Sequence, residues 1–261
     1  MKRAFEGCTS LKSITIPESV TKIWDYAFSG CTSLESVVIP KGVKVIMKGA
    51  FKDCSSLKSI TIPESVTMID SNLFEGCTSL ESVAIPESVT TIESNLFEGC
   101  ASLESVTIPE SVTKIKHGAF SGCTSLESIT IPDSVTEMTY PMFCCLGVFQ
   151  GCTSLKSITI PESVTTIPDK SFYGCTSLES VVIPKGVKSI KSGAFSNCTS
   201  LTMVTLPTGV DKIEEDIFDE CSALATIYVP AKKADYYKKR LPEQLHDKIV
   251  ELAPEKKTKN N

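Results

Sequence analysis

The sequence predicts a repeat solenoid, a β-rich stack of about ten 23-residue coils. Three observations predict it. Cysteine returns every 23 residues at Cys8, Cys31, Cys54, Cys77, Cys100 and Cys123, and after one longer step again at Cys152, Cys175, Cys198 and Cys221. Phenylalanine keeps the same interval from Phe5 through Phe97 to Phe218. The block FEGCTSLKSITIPESV at 5–20 recurs almost letter for letter. A short fixed period marks a fold in which each repeat buries its apolar face only against its neighbours.

Each element of one coil follows in order. Ile14 and Ile16 alternate with Ser13 and Thr15, the period of a strand with one wet face. Pro17 stops the ladder because it has no N–H to donate. Glu18 and Ser19 make a corner. Val20 to Ile23 begins a second short extended run, with Val20 and Ile23 inward. The segment Ala27-Phe28-Ser29-Gly30 reads as a tight helical turn closed by Gly30, where positive φ is cheap. Cys31 opens the next coil. Stacking at ~4.8 Å places like on like, so the phenylalanines can stack with an offset and the cysteines form a column beside them.

The pattern CTSLKSITIP…V…I…AF.GC closely resembles the BspA-like, or Treponema-type, leucine-rich repeat over about 4–228. The resemblance implies a right-handed leucine-rich-repeat superhelix with short strands and helical turns. It also implies the family's setting, bacterial or protist surface proteins that act in adhesion and protein binding, with a host or self surface protein as partner. The chain departs from the family where Gly often follows the second-run Ile. Trp24, Met47, Asp70, Glu93, Lys116, Thr139, Pro168, Lys191 and Glu214 stand there, on a corner predicted to be exposed.

The domain reading is a solenoid over 1–228 with one six-residue insertion within 139–149, a C-terminal cap over 229–252 and a disordered polar tail over 253–261. A formal charge of −5 argues against a general nucleic-acid binder. The charge is uneven, −9 over 1–229 and +4 over 230–261. No apolar run approaches the ~20 residues of a spanning helix. No signal peptide precedes the repeats: Met1-Lys2-Arg3-Ala4-Phe5 leads straight into them. Either the protein stays in the cytoplasm, as a scaffold, or the chain is a piece of a longer surface or secreted protein, the reading favoured here. An uncovered first coil exposes Phe5, Leu11 and Ile14, which predicts self-association through the N-terminal end or fraying of that coil.

The ten ladder cysteines are read as buried free thiols, since a small buried hydrophobe needs no partner. A straight column cannot surround a metal tetrahedrally, so no metal is predicted. Cys144 and Cys145 differ. They belong to the irregular coil, in a segment that also carries Tyr140, Met142, Phe143 and Leu146. It is read as an inherited insertion folded onto the convex or side surface, as a binding protrusion, or as a redox-sensitive thiol pair that His117 approaches.

The outward strand face is a nearly uniform strip of small hydroxyls from Ser13 and Thr15 onward, without aromatic anchors until the C-terminal end, where Met203 and Tyr228 stand. Those two residues, with the apolar residues of the insertion, are the candidate partner contacts. The flanking stripe Lys12, Glu35, Lys58, Glu81, Glu104, Glu127, Lys156 and Glu179 is read as a solvated face. Catalytic constellations are absent from the sequence: His117 and His246 lie far apart, and no phosphate loop, dinucleotide fingerprint or metalloprotease motif occurs. Neither enzyme activity nor a cofactor is predicted. Beyond Pro230 the repeat stops. Ala231 to Leu241 reads as helical, Pro242 starts another turn, and Ile249, Val250 and Leu252 supply a last extended cover.

Overall fold

The computed structural model describes residues 2–138 and 146–253. Thr139, Tyr140, Met142, Phe143, Cys144 and Cys145, and the tail from 254 on, lie outside the described residues.

Every coil has three sides. The first carries a three-residue strand, as in Ser13–Thr15, Ser36–Val38, Ser59–Thr61, Ser82–Ala84 and Ser105–Thr107, which form one parallel sheet. Ser128–Thr130 pairs with Ser157–Thr159, and Ser180–Val182, Met203–Thr205 and Thr226–Val229 continue the side. The register is one repeat: Ser13 faces Ser36, and Ile14 faces Val37. The central residue points into the core and its neighbours point to water. The second side carries two-residue strands such as Lys22–Ile23, Val45–Ile46 and Met68–Ile69, also parallel.

The third side is a run of turns with no regular helix. Alternate amides close i→i−3 bonds, as Cys31 N–H does to the Phe28 carbonyl at 3.1 Å. The amides between them reach sideways, Phe28 N–H to Ala50 at 2.8 Å and Gly30 N–H to Lys52 at 2.7 Å. Two left-handed residues four positions apart make this possible, Tyr26 (φ 53°) and Gly30 (φ 72°) in this coil. Beside the strands, amides such as that of Glu35 donate back to the coil before, here to Lys12, while those of Ile183 and Leu206 donate forward to Thr205 and Tyr228. On the turn side the lateral amides donate forward. The buried backbone groups are thereby satisfied by the adjacent coils.

The interior is a set of columns. Consecutive phenylalanine rings stack from Phe5 to Phe218, with centroids 5.3 Å apart and rings 2° from parallel at the first pair and 5.9 Å and 29° at the last. Each ladder cysteine from Cys31 on donates its thiol proton to the carbonyl of the Phe one coil back, Cys54 to Phe28 at 3.2 Å and Cys123 to Phe97 at 3.3 Å. The same Phe28 carbonyl already accepts the Cys31 amide. Cysteine is therefore more than a small hydrophobe here: it fills the second lone pair of a buried carbonyl. The serine of the PESV block does related work at the corner, where Ser65 Oγ donates to the Val43 carbonyl and Ser111 Oγ to Val89, both at 2.7 Å.

The insertion leaves these columns intact. Phe120 stacks on Phe149 at 5.3 Å and 3°, Cys152 donates to the Phe120 carbonyl at 3.1 Å, and Ser128 faces Ser157. Two expectations need correction. Cys8 is exposed, unlike the other ladder thiols, because among the described residues no coil covers its outer side. The corner residues are not uniformly exposed: Pro168 is buried, and Asp70, Glu93, Lys116 and Lys191 are half-buried. Lys116 lies across from Glu93 at 2.7 Å, so cross-coil pairing covers part of that corner.

At the other end, helix Ala234–Lys238, a 3-10 turn Glu243–Lys248 and strand Ile249–Glu251 close over the last coil. The strand adds in parallel to Thr226–Val229. Tyr237 and Leu241 are buried, and the Tyr237 hydroxyl donates to the Pro207 carbonyl.

A fully buried interior ring should be costly to remove. Phe97→Ala is expected to lower unfolding free energy by ~3–5 kcal/mol through lost burial and a cavity. Glu104→Ala, at an exposed position beside the strand, should stay within ~0.5 kcal/mol. Denaturant titration of both variants checks this, and equal losses would mean that the coil register is wrong.

Candidate functional site

The outward strand face is a product of the two-residue alternation. Ser59, Thr61, Ser82, Ala84, Ser105, Thr107, Ser128 and Thr130 all point to water in register. Beside them Glu81, Glu104 and Glu127 are exposed, with Glu127 meeting Lys156 at 2.9 Å. Glu64, Glu87, Glu110 and Asp133 form a second exposed row past the prolines. The Glu64 carboxylate accepts the Glu87 amide at 3.2 Å. The middle of this face is therefore small, polar and acidic.

Its C-terminal end is different. Val182, Thr205, Tyr228 and Val250 share one outward row by the pairing of their strands. Met203 sits one position over in the neighbouring row, across from Ser180. Val182 is 65% exposed, Val250 44% and Met203 39%, while Tyr228 is half-buried. A groove of about 490 Å³ adjoins this row, lined by Val182, Pro184, Thr205, Pro207, Pro230 and Leu252. The sequence pointed to Met203 and Tyr228. It gave no weight to Val182, although a Val standing where most other coils carry Thr was the available signal, nor to Val250, which lies beyond the repeats. Leu146, the one described candidate from the insertion, is half-buried and lies near Gly118, on the turn side of the coil rather than on this face.

At the opposite end, a concavity of about 390 Å³ is lined chiefly by apolar groups, among them Phe5, Ile14, Ile16, Val20, Trp24 and Phe28. Phe5 is 38% and Trp24 39% exposed, and the Lys22 ammonium lies over the Trp24 ring at 4.2 Å.

His117 Nδ1 lies 3.2 Å from Ser94 Oγ. Burial and the Lys116 charge hold its pKa below the usual value, so it is a neutral imidazole near pH 7. His246 hydrogen-bonds the Leu241 carbonyl at 3.0 Å in the C-terminal segment. Among the described residues no group of three His, Cys, Asp or Glu side chains could hold a metal ion, and no helix is long and apolar enough to cross a membrane. Burial pushes the interior thiols up, Cys54 and Cys152 to about 12.

The comparisons with known proteins agree with this architecture. The family model described as BspA type leucine rich repeat region (6 copies) matches residues 1–103, 44–146 and 145–240. A leucine rich cell surface protein from Faecalibacterium prausnitzii is 30% identical, with TM-score 0.61. The match covers 90% of this chain and 64% of that one, so this chain spans less than two thirds of that protein. The leucine rich repeat protein of T. pallidum is 29% identical over 64% of this chain and 78% of its own, with TM-score 0.56. A leucine-rich repeat protein from Eubacterium ventriosum is 26% identical over 86% and 74%, with TM-score 0.55. No protein of curated function matches the chain.

The raised thiol pKa values give a pH dependence. The folded state holds Cys54 neutral up to about 12, whereas the unfolded thiol ionises at its ordinary 9.0. The stabilisation is complete below pH 9 and is lost as pH rises towards 12. The denaturant midpoint should therefore fall with rising pH above about 9. Cys54→Ala should show a shallower fall from a lower starting point, and a midpoint flat to about pH 11 would contradict the burial of the thiol column.

Proposed function

The chain belongs to the BspA-type leucine-rich-repeat family, and on that premise we propose that it is a non-catalytic protein-binding module of a surface-type protein, with adhesion as its role. The observation that carries the reading is the apolar row at the C-terminal end of the outward face. Val182, Met203, Tyr228 and Val250 stand exposed or half-exposed at the end of a hydroxyl-lined strip and beside a groove. Exposed apolar clusters with a polar rim are where protein partners anchor, and aromatic side chains supply much of the energy. A surface setting is supported by the Faecalibacterium neighbour, a leucine rich cell surface protein. The ten free thiols among the described residues favour a second reading, an intracellular scaffold, because unpaired cysteine is commoner in reducing compartments.

Self-association is a further proposed contact, through the apolar concavity at Phe5, Ile14 and Trp24. The partner there would be a second copy, whose own first coil offers the same columns.

Immobilised chain, offered a labelled surface-protein extract and separately a second copy of itself, tests both contacts. Met203→Ala with Tyr228→Ala should weaken capture from the extract about tenfold or more and leave unfolding free energy within ~1 kcal/mol. Capture of the second copy should instead respond to Phe5→Asp. Extract binding that is indifferent to Met203 and Tyr228 would overturn the assigned surface.

A further inference from the structure

We propose that Cys221 and Cys198 form a peroxide-responsive thiol pair, which a small neutral hydroperoxide converts to a disulfide joining the last two coils. The inference does not depend on the binding role above.

Four observations lead there. The ladder thiols from Cys31 to Cys198 have no exposed surface, whereas Cys221 keeps 9% of its own. Cys221 lines a cavity of about 230 Å³ between the last coil and the C-terminal segment, together with Phe218, Asp219, Glu220, Pro242 and Leu245. A hydroperoxide has a way in. Second, the strands of these two coils pair in register, Met203 with Thr226. Both thiols keep the column geometry, each donating to its Phe carbonyl at 3.1 Å, Phe172 for Cys198 and Phe195 for Cys221. Positions one coil apart sit with Cα atoms ~5 Å from each other, inside the range a disulfide spans.

Third, the two sulfurs interact. When Cys221 ionises, the Cys198 thiol can turn its one proton from the Phe172 carbonyl to the Cys221 sulfur, which lowers the pKa of Cys221 against opposing contributions from burial and Asp219. Cys198 is raised by the same contact and by its burial. Cys221 therefore becomes thiolate first, as a peroxide-reactive thiol must. The other interior thiols are all pushed up by burial and have no such contact. Fourth, the carboxylates of Asp219 and Glu220 line the entrance, which favours an uncharged oxidant over an anionic one.

The chemistry balances in two steps. The Cys221 thiolate attacks the terminal oxygen of the hydroperoxide; the O–O bond breaks, an alcohol (or water) leaves, and Cys221 becomes a sulfenic acid. The Cys198 sulfur then attacks Cys221 Sγ. An S–S bond forms, the S–O bond breaks, and the Cys198 proton leaves with the hydroxide as water. Two thiols are oxidised and one peroxide bond is reduced. The link would tie the coil bearing Tyr228 to the coil bearing Met203.

Peptide mapping of the full chain tests this after one molar equivalent of hydrogen peroxide and thiol blocking. The expected product is a disulfide between the tryptic peptides 192–212 and 213–232, lost on reduction and about 2 Da lighter than the sum of the two peptides. It should form while Cys77 and Cys123 remain alkylatable. In Cys198→Ala, dimedone should instead trap the sulfenic acid on Cys221. Free Cys198 and Cys221 in wild-type protein whose Cys8 has been oxidised would overturn the proposal. So would a Cys221 oxidised to sulfinic acid with Cys198 untouched. The wild-type map decides the matter even if the variant folds poorly.

Discussion

The lateral hydrogen bond between residues one coil apart is the interaction on which everything else in this solenoid depends. Strands of two and three residues have no stability of their own. They persist because amides spaced along every coil meet carbonyls of the adjacent coils, forwards along the turn side and mostly backwards beside the strands. That condition sets the fixed interval. It also explains why an irregular coil adds six whole residues at one corner and still returns Phe149 onto Phe120 and Cys152 onto the Phe120 carbonyl. A slip of one residue would turn every apolar strand side chain outward.

The same condition limits where function can sit. Repeated coils present repeated surfaces, so a distinguished spot arises only where the repeat is broken. Several such breaks lie among the described residues. One is the end of the outward face, where Val182, Met203 and Tyr228 replace hydroxyls. Another is the last coil, where Cys221 meets a cavity rather than another full coil, and a third is the first coil, with its apolar concavity at Phe5 and Trp24. Elsewhere cross-coil ion pairs such as Lys52–Glu75 at 2.8 Å and Lys116–Glu93 at 2.7 Å knit neighbouring coils at half-exposed positions. Each contributes little on its own.

Much of this was legible in the sequence because periodicity states register directly. The Cys, Phe and Leu columns, the alternation of Ser13-Ile14-Thr15 and the order of segments after Pro230 could all be read from spacing. What could not be read depended on the partner of each group. The thiol bond to the Phe carbonyl arises from two atoms 26 residues apart, and cysteine's usual hydrophobic role hides it. The turn at Ala27 to Gly30 reads as helical because its i→i−3 bonds are; the left-handed position that Tyr26 fills is held by Gly49, Asn72, Asn95, Gly118 and Gly193 in other coils, a signal masked in this coil by tyrosine. Pro168 is buried at a corner where its charged counterparts Asp70, Glu93, Lys116 and Lys191 are half-buried, and the family pattern there gave no warning. The candidate contacts were only partly legible. Met203 and Tyr228 were visible as aromatic and sulfur side chains on a plain strip, whereas Val182 and Val250 acquire meaning only once strand pairing places them in one row.

Native-state amide exchange tests the central claim, that stability is a sum of contacts between neighbouring coils held by lateral bonds, most directly. The laterally bonded amides of Phe97 and Glu104, whose acceptors lie in adjacent coils at 2.8 and 3.1 Å, should be among the slowest to exchange. Protection should fall off coil by coil towards residues 5–20, where an end coil has one neighbour. Rapid exchange at Phe97 and Glu104, or residues 5–20 protected as strongly as 80–110, would contradict it.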